Sequence, residues 1–131
     1  MKWFLAKVSY YHLAQAKVVR EEYVIDATSF TEAEGILLRH VSMIGKECVV
    51  KALNPVNFDG VLTSDGGEWF KVRILAKNID DKDYFVSFLI LAMSAVKAID
   101  KAKEGMDISD FVIDKVERSK VVGVLTSKSL N

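Results

Sequence analysis

Two stretches of the chain alternate apolar and polar residues in the way that half-buried β-strands do. Residues 3–10 read WFLAKVSY and residues 69–76 read WFKVRILA. Alternation with a period of two places every second side chain on the same face of a strand. A further strand is predicted at about residues 18–26, and its counterpart contains the apolar run 88–93. The pattern therefore predicts two β-hairpins, one in each half of the chain.

A helix is predicted after each hairpin, because a serine precedes apolar residues that recur at steps of three and four. Ser29 and Glu32 have the spacing of a capping box, in which each side chain accepts a hydrogen bond from the other residue's backbone N–H. The first apolar stripe consists of Phe30, Ala33, Leu37, Val41 and Ile44, and the second of Ala95, Ala98, Ile99 and Ala102. Ser94 caps the second helix, and Gly45 and Gly105 are the predicted ends.

The pentapeptide GVLTS occurs twice, at residues 60–64 and 123–127. Trp-Phe likewise occurs at residues 3–4 and 69–70, and the matches follow one another in the same order in both halves of the chain. We therefore predict an internal duplication, with repeats at about 1–64 and 68–127. A third strand is expected at 47–53 and at 110–116, and GVLTS is either a fourth strand or the return of a bent third strand.

The predicted fold is α+β: one domain built from two β-β-α-β(β) repeats, with an antiparallel sheet and two helices related by a pseudo-two-fold axis. A helix on one side of a sheet leaves the other side of that sheet uncovered. Two copies could cover it by pairing edge to edge in one continuous sheet or by packing face to face. The residue pattern leaves both arrangements open.

Composition narrows the classes of protein to consider. Eighteen basic residues balance eighteen acidic ones, so there is no overall attraction to nucleic acid or to an anionic membrane. The longest apolar run is far shorter than the roughly 20 residues of a membrane-spanning helix, and the first residues lack the pattern of a secretory signal. Cys48 is the only cysteine, which excludes an intrachain disulfide and a cysteine-cluster metal site. We expect a cytoplasmic protein.

Candidate catalytic and metal-binding groups are few. His12 and His40 have no neighbouring acid or second histidine at a useful spacing, and Cys48 opens an apolar run typical of a buried side chain. Residues 78–83 lack the acid spacing of a calcium loop, and 64–68 lack the lysine of a phosphate-binding loop, so both are predicted to be turns. We predict no catalytic residue, no metal site, no cofactor and no enzymatic activity.

Aromatic and basic residues on the predicted strands are the candidate binding residues. Trp3 and Trp69 occupy equivalent positions in the repeats and could serve as core residues, as anchors of a protein interface, or as platforms on which bases stack. Basic residues elsewhere, such as Arg20, Lys51 and Lys120, are interspersed with acidic ones and indicate solvated strand faces. The candidate binding set consists of Trp3, Tyr10, Tyr11, Tyr23, Trp69, Lys71 and Arg73.

Three segments together resemble a known family. They are Trp3-Phe4 with Lys7-Val8, residues 26–34 (DATSFTEAE), and residues 69–72 (WFKV). The chain resembles, over most of its length, a family of short proteins of unknown function from Bacteroidetes and their phages and mobile elements. The resemblance transfers no catalytic residue. It implies a setting in the bacterial cytoplasm, which is the host cytoplasm if the protein is phage-encoded.

Two functional hypotheses follow from these observations. The first is a non-enzymatic binding or assembly protein, a phage or mobile-element accessory that acts through a protein partner or as a homo-oligomer, because open strand edges invite such pairing. The alternative is a module that binds a small ligand such as a nucleotide, or single-stranded nucleic acid. Neither hypothesis involves a membrane.

Overall fold

The computed structural model describes residues 2–44, 47–64, 66–107 and 110–127, and the order of its elements repeats once along the chain. The first half contains β1 (Lys2–His12), β2 (Lys17–Ala27), α1 (Phe30–Ile44), β3 (Val49–Val56) and β4 (Gly60–Thr63). The second half contains β5 (Glu68–Lys77), β6 (Asp83–Ala92), α2 (Ala95–Glu104), β7 (Phe111–Arg118) and β8 (Val121–Leu125). The predicted α+β class and the duplicated β-β-α-β(β) order are confirmed.

The strands form two four-stranded sheets whose membership crosses between the repeats. One sheet has the order β3-β1-β2-β8 and the other β4-β6-β5-β7. All pairs are antiparallel except β2 with β8 and β4 with β6, which are parallel. GVLTS is therefore the fourth strand of its repeat rather than the return of a bent third strand. It pairs with the second strand of the other repeat.

The strand registers of the two halves agree residue by residue. Lys7 lies opposite Ala52, while the next residue of β1 lies opposite Val50, so Lys51 is the additional residue of a β-bulge. The same shift occurs between β5 and β7, where Asp114 is the additional residue. A bulge at the same place in both sheets supports the duplication more strongly than the sequence matches alone, because bulges are specific features of a fold.

Two compact units result from this pairing. The first runs to Val56 and resumes at Lys120, and the second comprises Asn57–Ser119. In each unit one helix packs on one face of the sheet, as the alternating pattern predicts. The first core consists of Phe4, Ala6, Val8, Tyr23, Ile25, Ala27, Ala33, Ile36, Leu37 and Leu125. The second core consists of Phe70, Val72, Ile74, Phe88, Ile90, Ala92, Ala98 and Ala102.

Both predicted helix caps form. The Ser29 hydroxyl accepts a hydrogen bond from the backbone N–H of Glu32 at 3.1 Å, and that of Ser94 accepts one from Lys97 at 3.2 Å. The first cap differs from a complete capping box, because the Glu32 carboxylate accepts from the hydroxyl of Thr28 at 2.8 Å. Gly105 ends α2, whereas the predicted end of α1 at Gly45 lies outside the described residues.

The buried stripe of α1 is rotated slightly from its predicted position. Ala33 and Leu37 are buried as expected, and Ile36, which was not in the predicted stripe, is buried beside them. Phe30 is about half exposed and contacts Phe4 edge to face, with ring centroids 6.2 Å apart. The helix therefore presents its 33, 36 and 37 positions to the sheet.

Two glycines provide a matched test of this backbone. We expect Gly67→Ala to lower the free energy of unfolding by more than about 2 kcal/mol, since φ is +110° there and a Cβ would collide with the Ala92 carbonyl. By contrast, Gly35→Ala should raise it by about 0.5–1 kcal/mol, because the site is helical and has open space. Urea unfolding of both variants measures the difference. Equal midpoints would contradict the close approach at Gly67.

Candidate anion-binding site on the first sheet

A cluster of cationic side chains lies on the face of the first sheet that points away from α1. Phe4, Ala6 and Val8 of β1 pack toward the helix, so alternation places Lys7 on the opposite face. The bulge in β3 adds Lys51 next to it. Lys7, Arg20, Lys51 and Lys120 line one cavity of about 440 Å³. Strands β1, β2 and β3 and the residue before β8 therefore contribute one cation each.

The cavity carries a net positive charge. Two glutamates, Glu21 and Glu22, also line it, so four cationic and two anionic side chains leave two positive charges. Glu21 is engaged elsewhere, because its Oε1 accepts a hydrogen bond from the hydroxyl of Tyr23 at 2.9 Å. Glu22 lies opposite Lys7 in the strand register. The local charge contrasts with the zero net charge of the whole chain.

Among the described residues, the four cations of this cavity have no anionic partner within ion-pair distance. In the part of the chain that the structure describes, no carboxylate oxygen lies within 4.0 Å of a charged nitrogen of Lys7, Arg20, Lys51 or Lys120. All four side chains are exposed. Glu22 lies directly opposite Lys7, but the cavity still gathers more cations than anions, and like charges close together on a sheet are unfavourable. Such departures from local stability are expected where a ligand binds.

The equivalent positions of the second sheet are neutralised internally. Arg73 occupies the position of Lys7, and its Nε donates a hydrogen bond to Asp114 Oδ2 at 2.7 Å. Asp114 is the bulge residue and corresponds to Lys51. The Arg73 guanidinium also lies 4.7 Å from the ring centroid of Phe85, which corresponds to Arg20. In the second unit these three positions hold an arginine that contacts an aspartate and a phenylalanine. In the first unit the same positions hold three cations that have no ion-pair partner among the described residues.

The predicted aromatic set divides by burial. Tyr23 and Trp69 are buried, at 8% and 9% exposure, and Trp3 is half-buried in β1. Tyr10 is half-buried, and burial raises the pKa of its hydroxyl, to which interaction with the Glu21 carboxylate adds. Tyr11 is 46% exposed and lies on the same face of β1 as the cation cluster.

The two predicted basic residues lie on the second sheet. Lys71 is exposed on β5, opposite Glu117 in the register, and Arg73 is held by Asp114. By the alternation of β1, Trp3 and Tyr11 of the predicted set lie on the face that carries the cation cluster, and of these two only Tyr11 is exposed. The cluster itself was predicted as scattered solvated charges. An alignment of the two repeats could have revealed the cluster, since Arg73 and Asp114 of the second repeat correspond to Lys7 and Lys51 of the first.

A second polar group of residues lies on the helix side of the first sheet. The rings of Tyr23 and His40 meet edge to face, with centroids 4.6 Å apart. Burial raises the pKa of the Cys48 thiol above its ordinary value of 9.0, and the nearby Glu21 carboxylate raises it further. Burial also raises the pKa of Tyr23, to which its hydrogen bond with Glu21 adds. These shifts keep the thiol and the hydroxyl protonated at neutral pH, and Cys48 packs against the core.

The loops considered as ligand sites behave as turns where they are described. Residues 78–82 connect β5 to β6, which begins at Asp83, and the Asn78 Oδ1 accepts hydrogen bonds from the backbone N–H groups of Asp80 and Lys82. In the segment 64–68, Gly66 and Gly67 adopt positive φ, while Asp65 lies outside the described residues. No group of three or more potential metal ligands occurs within the described ranges.

Fold and sequence together define this chain as a small α+β protein made of two repeats that exchange their fourth strands. Among the described helices none is long and apolar enough to cross a membrane. Residues 2–127 match the family model described as Domain of unknown function (DUF4494), and the chain belongs to that family. No curated protein and no solved structure matches it. The resemblance to a family of unknown function is confirmed at that level.

The contrast between the bulge residues predicts opposite effects on stability. We expect Lys51→Asp to raise the free energy of unfolding by up to about 1 kcal/mol, since it gives Lys7 the acidic neighbour that Arg73 has. Asp114→Lys should lower it by a similar amount. Urea unfolding at about 0.01 M and 1 M salt checks this, because screening should reduce both effects. A loss of stability in Lys51→Asp at low salt would contradict repulsion within the cluster.

The environment of Cys48 predicts slow thiol chemistry. We expect iodoacetamide to modify the folded protein at about pH 8 more slowly than the urea-unfolded chain, since the thiolate is the reactive form and the thiol pKa is raised. Glu21→Gln should increase the rate only partly, because burial contributes more to the shift than the carboxylate does. Mass spectrometry of the modified chain over time gives both rates. Equal rates for the folded and unfolded chains would show that Cys48 is not protected.

Proposed function

We propose that this chain is a non-enzymatic binding protein whose first unit holds a phosphate-bearing ligand. One observation carries the proposal. Within the described part of the chain, Lys7, Arg20 and Lys51 have no ion-pair partner. At the equivalent positions of the second repeat, Arg73 contacts both Asp114 and the Phe85 ring. The same scaffold shows that these positions can be satisfied internally. A ligand that supplies negative charge would explain why the three cations of the first unit have no carboxylate partner among the described residues.

The chemistry of the cluster suits a phosphate group. The planar guanidinium of Arg20 can donate two parallel hydrogen bonds to phosphate oxygens, and the lysines add mobile point charges around it. The cavity of about 440 Å³ falls within the range of small-ligand sites, about 300–1,000 Å³. Glu22, which also lines the cavity, can accept a hydrogen bond from a sugar hydroxyl or a base amino group. A nucleotide or a nucleic acid phosphate fits this combination.

A second candidate function is assembly through the strand edges. β3 and β7 are edge strands of eight residues each, and both carry exposed valines. Val49 is 50% exposed and Val112 is 60% exposed. Unpaired edges with apolar side chains can pair with a strand of a protein partner or of a second copy. This candidate corresponds to the protein-binding hypothesis drawn from the sequence.

The biological setting is part of the proposal. The resemblance to proteins of Bacteroidetes and their phages and mobile elements supports an accessory role in the bacterial cytoplasm. A protein that binds phosphate-bearing ligands there would act on nucleotides or nucleic acid of the host or of the phage. Absence of enzymatic activity is proposed with it, because the sequence contains no recognisable catalytic motif.

Removal of the cations tests the binding function. We expect ATP and pyrophosphate to raise the melting temperature of the protein, because a ligand that binds only the folded state stabilises it. The double variant Lys7→Ala/Lys51→Ala should bind at least about tenfold more weakly by isothermal titration calorimetry, since each charge-assisted hydrogen bond contributes about 1.5–3 kcal/mol.

A matched control is available on the second sheet. Lys71→Ala/Lys115→Ala removes the same charge from exposed strand residues and should leave the affinity unchanged. If both double variants weakened binding equally, the loss of affinity would follow from the change in net charge alone. That result would contradict a specific binding site on the first sheet. If the original protein bound neither ATP nor pyrophosphate, nor any other phosphate ligand, assembly through the strand edges would become the better candidate, and sedimentation analysis would test it.

A further inference from the structure

The geometry of the first sheet points to single-stranded nucleic acid as the ligand, with its phosphates on the cation cluster and a base stacked on Tyr11. This inference rests on the proposed function and specifies its ligand. It depends on residues beyond the cavity, on the same sheet face, which a mononucleotide bound in the cavity would not use.

Tyr11 and the cations form one row on the sheet. Lys7, Ser9 and Tyr11 are alternate residues of β1 and lie on one face, with Arg20 paired opposite Ser9. Alternate residues of a strand are about 6.8 Å apart, so Lys7 and Tyr11 are separated by about 13 Å. Val18 lies opposite Tyr11 in the register and is 58% exposed. The row therefore begins at the cations and ends at an exposed ring with an apolar neighbour.

Nucleic acid matches this row in both chemistry and length. Proteins that bind single strands combine a basic groove for the backbone with aromatic rings on which bases stack. A strand stacked in a duplex rises about 3.4 Å per nucleotide and an extended single strand rises more, so the distance of about 13 Å spans at most about four nucleotides. Only a single strand exposes the faces of its bases, since in a duplex they are covered by neighbouring pairs. An exposed tyrosine at the end of the row thus favours a single strand over a duplex.

The second sheet supplies an independent contrast at this end of the row as well. Lys77 and Asp83 occupy the positions of Tyr11 and Val18, and they are paired opposite each other in the register. The Lys77 Nζ lies 3.6 Å from Asp83 Oδ1 and 3.5 Å from Asp81 Oδ1. One sheet therefore ends its row in a closed ion pair, whereas the other ends it in an aromatic ring and a valine. At both ends of the row, the first sheet has residues suited to nucleic acid where the second sheet has ion pairs.

Binding of this kind has a defined salt dependence. With up to four cations contacting phosphates, the slope of log affinity against log salt should be no steeper than about −3, at about −0.7 per phosphate for a single strand. The zero net charge of the chain adds no long-range attraction. Affinity should accordingly be moderate and local to the row.

The test compares oligonucleotides with the mononucleotide on two aromatic variants. Fluorescence anisotropy would follow labelled oligodeoxythymidylate of eight and of two nucleotides, and calorimetry would follow ATP. We expect the octamer to bind at least about tenfold more tightly than the dimer, and Tyr11→Ala to weaken the octamer by about fivefold or more. Tyr11→Phe should retain the octamer affinity, because stacking needs the ring. Tyr84→Ala, at an exposed tyrosine of the second unit, is the control and should have no effect.

The outcomes separate this inference from the function on which it rests. If ATP binds and depends on Lys7 and Lys51, but the octamer binds no more tightly than the dimer, the ligand is a small phosphate compound and the inference is wrong. Equal affinity for a duplex of the same length, or an unchanged affinity in Tyr11→Ala, would also overturn it. Loss of all binding, including ATP, would instead remove the proposed function. Thermal melts of Tyr11→Ala should match those of the original protein, since the side chain is exposed.

Discussion

The parallel pairing of each fourth strand with the other repeat is the constraint on which the structure depends. β8 lies beside β2, and β4 lies beside β6, so neither repeat can complete its sheet from its own residues. Val124 pairs with Val24, although most of the chain separates these two residues in sequence. Contacts so distant in sequence are slow to form, because the loop between them must be closed before they stabilise anything. The fourth strand of the first sheet is therefore added only once the last strand of the chain is available.

Because the two units share the same backbone geometry, their side chains can be compared position by position. Because the bulge falls at the same place in β3 and β7, Lys51 and Asp114 occupy equivalent positions rather than merely similar ones. An ion pair at an exposed position contributes little stability. The exchange of an aspartate for a lysine is therefore inexpensive for the fold but reverses the charge presented to a ligand. A binding surface can arise on such a scaffold through very few substitutions.

Local patterns predicted the elements, and the structure shows where local information ends. The alternation in residues 3–10 and 69–76 identified the central hairpins, and Ser29 and Ser94 identified the helix starts, because these features depend on neighbouring residues alone. Strand exchange could not be predicted in this way, since the two GVLTS segments are identical and contain nothing that selects a partner. The cation cluster was missed for a related reason. Its members are far apart in sequence, and only the strand register and the bulge bring them together.

Both exchanged strands come from the repeated GVLTS sequence, and this also bears on how the two sheets of the chain came to differ in charge. Two separate copies of a single repeat could exchange the same tail, each completing the sheet of the other, as a strand-swapped homodimer does. In such a dimer every substitution appears in both sheets, so a cation cluster would occur twice or not at all. Joining the copies in one chain removes that coupling. Each half can then accumulate its own substitutions, so that an ion pair in one sheet and a cation cluster in the other can stand at equivalent positions of the same chain.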